Sequence, residues 1–565
     1  MMIRNPILSG FYPDPSICRV GEWFYMVNST FAYFPGIPVF RSRDLACWEQ
    51  IGNVLERNSQ VSLEGCGHSE GIYAPTIRYY EGVYYVIATN VSGGGNFIVT
   101  ARQPEGPWSE PYFLGEKAQG IDPSLFFDED GSCYYIGQRE NSRGSRYFGD
   151  CEIWIQKLDL ERMELVGESH PVLYGFEKNA VWPEGPHLYK KDGWYYILHA
   201  EGGTERNHCI AAARSREVFG PYEYCPANPI LTHRHLGKDY PVTCVGHGDL
   251  TEDGQGNWYM VMLGSRPEMG YTLLGRETFL AKVVWEDGWP VVNPGIGRLE
   301  TSVDISGDSE SSIESCLKEA AKERLEFCDQ EHSKTYTFEN EELPPEFLLL
   351  RNPKEGMILS GAEGAFLRMN RNPAVLKEQA FPCYAALRFR DRSFEVETEL
   401  ELKTDSEGHC GGIALVQSND WHFRLECYTA PQTKVRLTAC QGGKDTALGE
   451  LLLEAGRRFQ LRVIVDGLYA SFFCRTAEKS FHKGDSQDPQ IEGDWKTLME
   501  KVDLRPLSTE NAGGFVGCTA GMYASGNGRA GDGYVDFAWF SYKVLKKQSI
   551  GSGAVIEETE KRAAR

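Results

Sequence analysis

Three acidic residues stand against prolines in the first third of the chain. They are Asp14 in Tyr12-Pro13-Asp14-Pro15-Ser16, Asp122 in Gly120-Ile121-Asp122-Pro123-Ser124, and Glu184 in Trp182-Pro183-Glu184-Gly185-Pro186. Carboxyl groups held in fixed relative positions hydrolyse glycosidic bonds, one protonating the leaving oxygen and another activating water. Proline locks its own φ and drives the preceding residue toward extended backbone, so each carboxyl direction is set by the chain itself. A solvated surface carboxylate needs no such setting. One Asp-Pro-Ser is a weak signal, because Asp before Pro is common in turns. Two copies 108 residues apart, with Glu184 in a third proline motif, make a constellation.

The elements that must carry these acids repeat. A turn glycine followed by aromatic and apolar residues occurs at Gly21-Glu22-Trp23-Phe24-Tyr25, Gly82-Val83-Tyr84-Tyr85, Gly131-Ser132-Cys133-Tyr134-Tyr135, Gly193-Trp194-Tyr195-Tyr196 and Gly256-Asn257-Trp258-Tyr259, at spacings of 61, 49, 62 and 63 residues. Seven to nine residues before each glycine lies one motif per unit: Asp14, Ala74-Pro75-Thr76, Asp122, Glu184 and His247. Further strand-like runs at 38–40, 48–51, 97–101 and 210–214 leave room for three more strands per unit. Five strand-rich units of this size predict a five-bladed β-propeller over residues 1–302, with a β-sandwich or solenoid as the competing arrangement. If the strand before each glycine is the innermost of its blade, the five motifs converge on the propeller axis.

Composition agrees with an all-β chain. Of 565 residues 12% are aromatic, with 60 Gly and 28 Pro, and the apolar runs are short and bounded by turn residues. A formal net charge of -22 argues against a nucleic-acid partner, which demands a basic stripe, and suits a neutral ligand. No window has the length and apolarity of a membrane span, and the first residues lack the regions of a secretory signal, so the expectation is a cytoplasmic protein without a membrane partner. The sequence gives no oligomeric state, and a homo-oligomer is compatible with it. Sixteen cysteines occur singly, without CxxC pairs, which reads as buried reduced thiols rather than a disulfide framework or a zinc site.

Beyond residue 302 the character changes. Residues 303–333 are rich in Ser, Glu, Lys and Ala and read as a polar linker, with a helix-capable stretch at 313–332. Strand-like runs at 394–402, 411–416, 422–428, 459–465, 513–517 and 535–542 predict a second domain, a β-sandwich over 334–546 of the concanavalin-like jelly-roll kind. Residues 547–565 are polar and small and read as a disordered tail.

The residues Asn5-Pro6-Ile7-Leu8-Ser9-Gly10-Phe11-Tyr12-Pro13-Asp14-Pro15-Ser16, Gly71-Ile72-Tyr73-Ala74-Pro75-Thr76, Gly120-Ile121-Asp122-Pro123-Ser124-Leu125-Phe126, Glu184-Gly185-Pro186-His187-Leu188-Tyr189 and Leu274-Gly275-Arg276-Glu277-Thr278 resemble glycoside hydrolase family 43. The resemblance is to its β-xylosidases and α-L-arabinofuranosidases with a C-terminal sandwich. It implies a propeller that inverts the anomeric centre, with Asp14 as general base, Glu184 as general acid and Asp122 raising and orienting the acid. Inversion needs base and acid on opposite sides of the sugar, roughly 6.5 to 9.5 Å apart, to admit water. An exchange of roles between Asp14 and Asp122 stays open.

The resemblance also implies that Arg276 reaches into the substrate pocket and that Phe31, Phe34 and Tyr73 wall it. Core packing is the competing use of these rings. Tyr73 stands where many β-xylosidases of the family carry tryptophan, which leaves the choice between xylose and arabinose open. Phe515 is the candidate from the sandwich, which in relatives closes one side of the pocket. His247 matches an axial position where relatives often hold calcium mostly through water; a core histidine, or one touching an active-site acid, is the equal alternative, since calcium prefers oxygen. No cofactor is required by this reading, with calcium the one metal to test. The expectation is an exo-acting glycosidase that removes terminal α-L-arabinofuranosyl or β-D-xylosyl residues from small hemicellulose oligosaccharides. An endo-acting arabinanase and a non-catalytic carbohydrate-binding propeller are the alternatives.

Overall fold

The computed structural model describes residues 2–305, 332–404, 406–477 and 494–545. Each glycine of the five repeats has a positive φ, 62° at Gly21, 81° at Gly82, 83° at Gly131, 73° at Gly193 and 86° at Gly256. A side chain there would strain the tight turn, which is why the repeat begins with glycine. Each turn joins the first two strands of an antiparallel blade: Ser16–Val20 to Trp23–Val27, Ile72–Tyr80 to Val83–Asn90, Ile121–Phe127 to Cys133–Glu140, Glu184–Lys191 to Trp194–Glu201, and Thr243–Glu252 to Trp258–Ser265. Two further strands complete each blade, and in blade four Leu231–Thr232 adds a short pairing to Cys209–Ser215. The first strand of every blade faces the axis. Its register sets the start of the inner strand against the end of the second, as in Ile121 opposite Gln138 and Glu184 opposite Ala200. The acids and the loops that follow the second strands therefore share one face.

The ring is closed by the N-terminal segment. Met2–Arg4 pairs with Ser302–Asp304 in a two-stranded sheet of its own. Asn5 exchanges two side-chain hydrogen bonds of 2.9 Å with the backbone of Leu280 in blade five. Most of the helix-capable stretch at 313–332, and the tail at 547–565, lie outside the described residues.

The second domain is a sandwich of two antiparallel sheets. One contains Ser393–Lys403, Arg458–Asp466 and Tyr534–Val544; the other contains Cys383–Arg388, Cys410–Val416, Trp421–Tyr428 and Thr519–Ser525. Leu400, Leu415, Phe423, Leu461 and Phe537, each at most 1% exposed, fill the space between them. The second sheet does not stop at the domain edge. Its strand Leu348–Leu350 pairs with propeller residues Tyr33–Phe34, Leu349 opposite Phe34 and Leu350 opposite Tyr33. Buried Arg351 follows and donates to the propeller carbonyl of Cys66 at 2.7 Å, and Arg388 donates to that of Phe11 at 2.8 Å. Leaving such carbonyls unpaired in a dry interface would cost stability, so these bonds hold the domains in one orientation.

Two expectations are corrected. Residues 513–517 form a loop rather than a strand: Gly513 and Gly514 have φ of 72° and 78°, and a Cβ on Gly517 would lie 2.5 Å from the carbonyl of Leu274. The described cysteines are free thiols except Cys47, which is disulfide-bonded. Among the described residues no helix is long and apolar enough to cross a membrane.

Candidate active site

Asp14 precedes the inner strand of blade one and has φ 52°, a left-handed value that side chains adopt rarely and that gathers at functional sites. The Asn28 amide pins its approach by donating to the carbonyls of Tyr12 and Pro13 at 3.0 and 3.1 Å. The carboxylate accepts from Ser29 Oγ at 2.6 Å and from Arg276 Nη1 at 3.0 Å. Burial alone would raise its pKa. The positive charge of Arg276, with smaller help from His247 and Ser29, outweighs burial and holds Asp14 below the usual carboxylate range.

Asp122 repeats the geometry on blade three, with φ 53° and a bulge between Ile121 and Ser124 that turns its side chain inward. It accepts from the backbone N–H of Gly185 at 3.1 Å, the residue that follows Glu184. Burial is the main force on its pKa and the negative Asp14 adds to it, against His247, whose Nδ1 lies 4.0 Å from Oδ2; the result is a rise to about 6.

Glu184 opens the inner strand of blade four, ahead of another bulge before His187. Loss of water raises its pKa well above the ordinary value, and the charges of Asp122 and then Asp14 raise it further, Arg276 opposing. The three acids thus meet at one place, with Asp14 and Glu184 displaced in opposite directions.

The proposed pocket rings divide. Phe31 lies 5.3 Å from Tyr73 and 6.1 Å from Phe515, and Tyr73 lies 6.0 Å from Phe515. Phe515 arrives from the sandwich on the 513–517 loop and is 38% exposed. Ser69 ties Tyr73 to Phe515, its carbonyl accepting from Tyr73 OH and its Oγ from the Phe515 N–H, each at 2.8 Å. Arg276 lies over this cluster, 5.7 Å from the Phe31 ring and 5.5 Å from the Phe515 ring, and also donates to Thr204 Oγ1 at 2.9 Å and to the Phe515 carbonyl at 3.3 Å. Phe34 does not join them. It is buried in the strand that pairs with Leu349, and its ring belongs to the core between the domains.

His247 sits against the acids. Gly185 must be glycine beside it, since a Cβ there would come within 2.8 Å of His247 Nδ1. Deeper along the axis Arg78 makes paired bonds to Asp249 at 2.9 and 3.1 Å, and Asp249 also accepts from Ser16 Oγ, the Ile17 N–H and Tyr189 OH. The imidazoles of His187 and His208 are buried nearby, each with Nε2 unpaired. The protein offers nitrogen donors, a guanidinium and one saturated carboxylate here, so a calcium ion, which takes six to eight oxygens, would have to be held mostly through water.

Ser29, Ser69, Thr204 and Asn28 were missed by sequence reasoning. The one signal for Thr204 was its place after Gly202-Gly203, at the end of a repeat's second strand. The other three are single polar residues without a pattern.

Residues 3–290 match the profile described as "Glycosyl hydrolases family 43", and residues 335–543 that of "Beta xylosidase C-terminal Concanavalin A-like domain". A xylosidase/arabinosidase of Butyrivibrio fibrisolvens is 47% identical over 557 residues, covering 96% of this chain and 99% of the relative. A non-reducing end alpha-L-arabinofuranosidase of Bacteroides ovatus is 34% identical, covering 96% of this chain and 95% of its own. Among solved structures, a xylan beta-1,4-xylosidase of Bacillus halodurans superimposes with a TM-score of 0.83 at 31% identity, covering 96% of this chain and 100% of its own.

Because the charge of Asp122 helps to keep Glu184 protonated, Asp122→Asn should lower the Glu184 pKa and move the alkaline limb of the kcat/KM profile to lower pH. A profile measured on an unactivated glycoside whose alkaline limb stays in place would contradict this coupling.

Proposed function

The chain belongs to glycosyl hydrolase family 43, and from that footing we propose that Asp14 is the general base, Glu184 the general acid and Asp122 the residue that orients the acid and raises its pKa. The enzyme is an exo-acting, inverting glycosidase of the β-xylosidase and α-L-arabinofuranosidase type. One observation carries the assignment of roles. In a single site, Asp14 is pushed toward ionisation and Glu184 toward protonation, the states that activating a water and protonating a leaving oxygen demand. The rise of Asp122 to about 6 favours Asp14 over Asp122 as base, and the Gly185 hydrogen bond gives Asp122 a hold on the backbone of the acid.

Hydrolysis then proceeds without a covalent intermediate. Asp14 takes a proton from water as that water attacks the anomeric carbon; Glu184 gives its proton to the departing oxygen, and the bond to the leaving group breaks. Arg276 keeps Asp14 ionised until water delivers its proton. Tyr73 and Phe515 offer apolar faces to a sugar ring, with Phe31, 1% exposed, packed behind them, and the sandwich loop that carries Phe515 narrows the pocket toward a terminal residue. We further propose that short arabinoxylan and xylan oligosaccharides are the substrates. Terminal α-L-arabinofuranosyl and β-D-xylosyl groups present similar hydroxyls, which supports activity on both. Asp14 and Glu184 supply both the base and the acid, so the proposed reaction requires no metal ion.

On an unactivated oligosaccharide, Asp14→Ala and Glu184→Ala should each lower kcat/KM by about 10²- to 10⁴-fold. An aryl glycoside with a good leaving group should partly restore the Glu184 variant and not the Asp14 variant; equal restoration of both would contradict the assignment. Exhaustive chelation should leave wild-type kcat/KM unchanged, and a loss reversed by calcium alone would overturn the metal-free reading.

A further inference from the structure

Residues 141–150 form the loop between Cys133–Glu140 and Cys151–Asp159 of blade three. The pairing of Ile121 with Gln138 sets this loop beside the start of the inner strand that carries Asp122. The loop is built around Asp150, 1% exposed, which accepts from Arg146 Nε at 2.8 Å, Arg146 Nη2 at 2.9 Å and Asn141 Nδ2 at 3.2 Å. It is also tied to the segment that leads into the catalytic acid. Tyr147 OH donates to the Ala180 carbonyl at 2.9 Å, and the Trp182 N–H donates to the Gly149 carbonyl at 2.8 Å.

This ordered loop holds Phe148 in water. At 82% it is the most exposed aromatic side chain among the described residues. Its ring stands 5.0 Å from that of Trp182 at an angle of 80°. Trp182, two residues before Glu184, is seated on glycines: a Cβ would come within 3.1 Å of the indole at Gly149 and 3.0 Å at Gly203. Gly203 precedes Thr204, which accepts from Arg276, so the pair stands at the rim of the same pocket. Phe148 and Trp182 belong to blades three and four, whereas Phe31 and Tyr73 belong to blades one and two. The pocket therefore has a second aromatic wall, on the side of Glu184.

We propose that Phe148, propped by Trp182, is the platform on which the sugar ring beyond the scissile bond stacks. The inference rests on reading Glu184 as the proton donor. The leaving oxygen lies beside that carboxyl, and the sugar attached to it must run out past the rim that Trp182 and Phe148 form. A pyranose presents an apolar face of C–H groups, which suits a bare phenyl ring; a single outward ring contacts one neutral sugar and has no charge to recruit an anion.

Wild type, Phe148→Ala and Phe148→Tyr are compared on xylobiose and on methyl β-D-xyloside. Both leaving groups need the proton of Glu184, and only the first brings a ring. Phe148→Ala should lower kcat/KM on xylobiose by about three- to ten-fold, the size of one ring contact, and on the methyl glycoside by less than about two-fold, with Phe148→Tyr restoring the difference. Equal falls on both substrates, or no fall on either, would overturn the platform. A wild type inert toward both substrates would instead overturn the reading of the site, and the platform with it.

Discussion

The contact on which the site depends is the bond from Arg276 to Asp14. A carboxylate as buried as Asp14 would hold its proton, and the guanidinium at 3.0 Å reverses that. The same arginine, from blade five, also reaches Thr204 after blade four's second strand and the Phe515 carbonyl of the sandwich. One charge thus sets the protonation of Asp14, joins the ends of the propeller ring and fixes the loop that carries Phe515. Its effect on Glu184 is the reverse, and there desolvation and two neighbouring negative charges prevail.

The rigidity this requires comes from the fold. Five inner strands bring their first residues to one axis, and bulges in several of them aim side chains inward rather than along the pleat. The sandwich shares a sheet with Tyr33–Phe34 and meets the propeller through buried Arg351 and Arg388. Phe515 can therefore act as a wall of a pocket whose acids lie in another domain.

Much of this was legible in the sequence, because it repeats. Five turn glycines with aromatics predict the blades, and the common offset of the acids predicts their convergence. What stayed hidden depends on partners far apart in the chain. The pairing of Phe34 with Leu349 spans hundreds of residues and has no local pattern, so Phe34 reads like any other ring near the site. Residues 513–517 look like a strand by composition, yet close approach to Leu274 and left-handed glycines make them a loop. Phe148 carries no motif at all, and only the packing of Trp182 on Gly149 and Gly203 gives it a place.

The central claim is that at neutral pH Glu184 carries a proton and Asp14 does not. Infrared difference spectra of wild type against Glu184→Gln and against Asp14→Asn test it directly. The account predicts that a protonated-carboxyl band is lost in the Glu184 variant and kept in the Asp14 variant. A band lost with Asp14 instead, or no protonated carboxyl at Glu184, would contradict it.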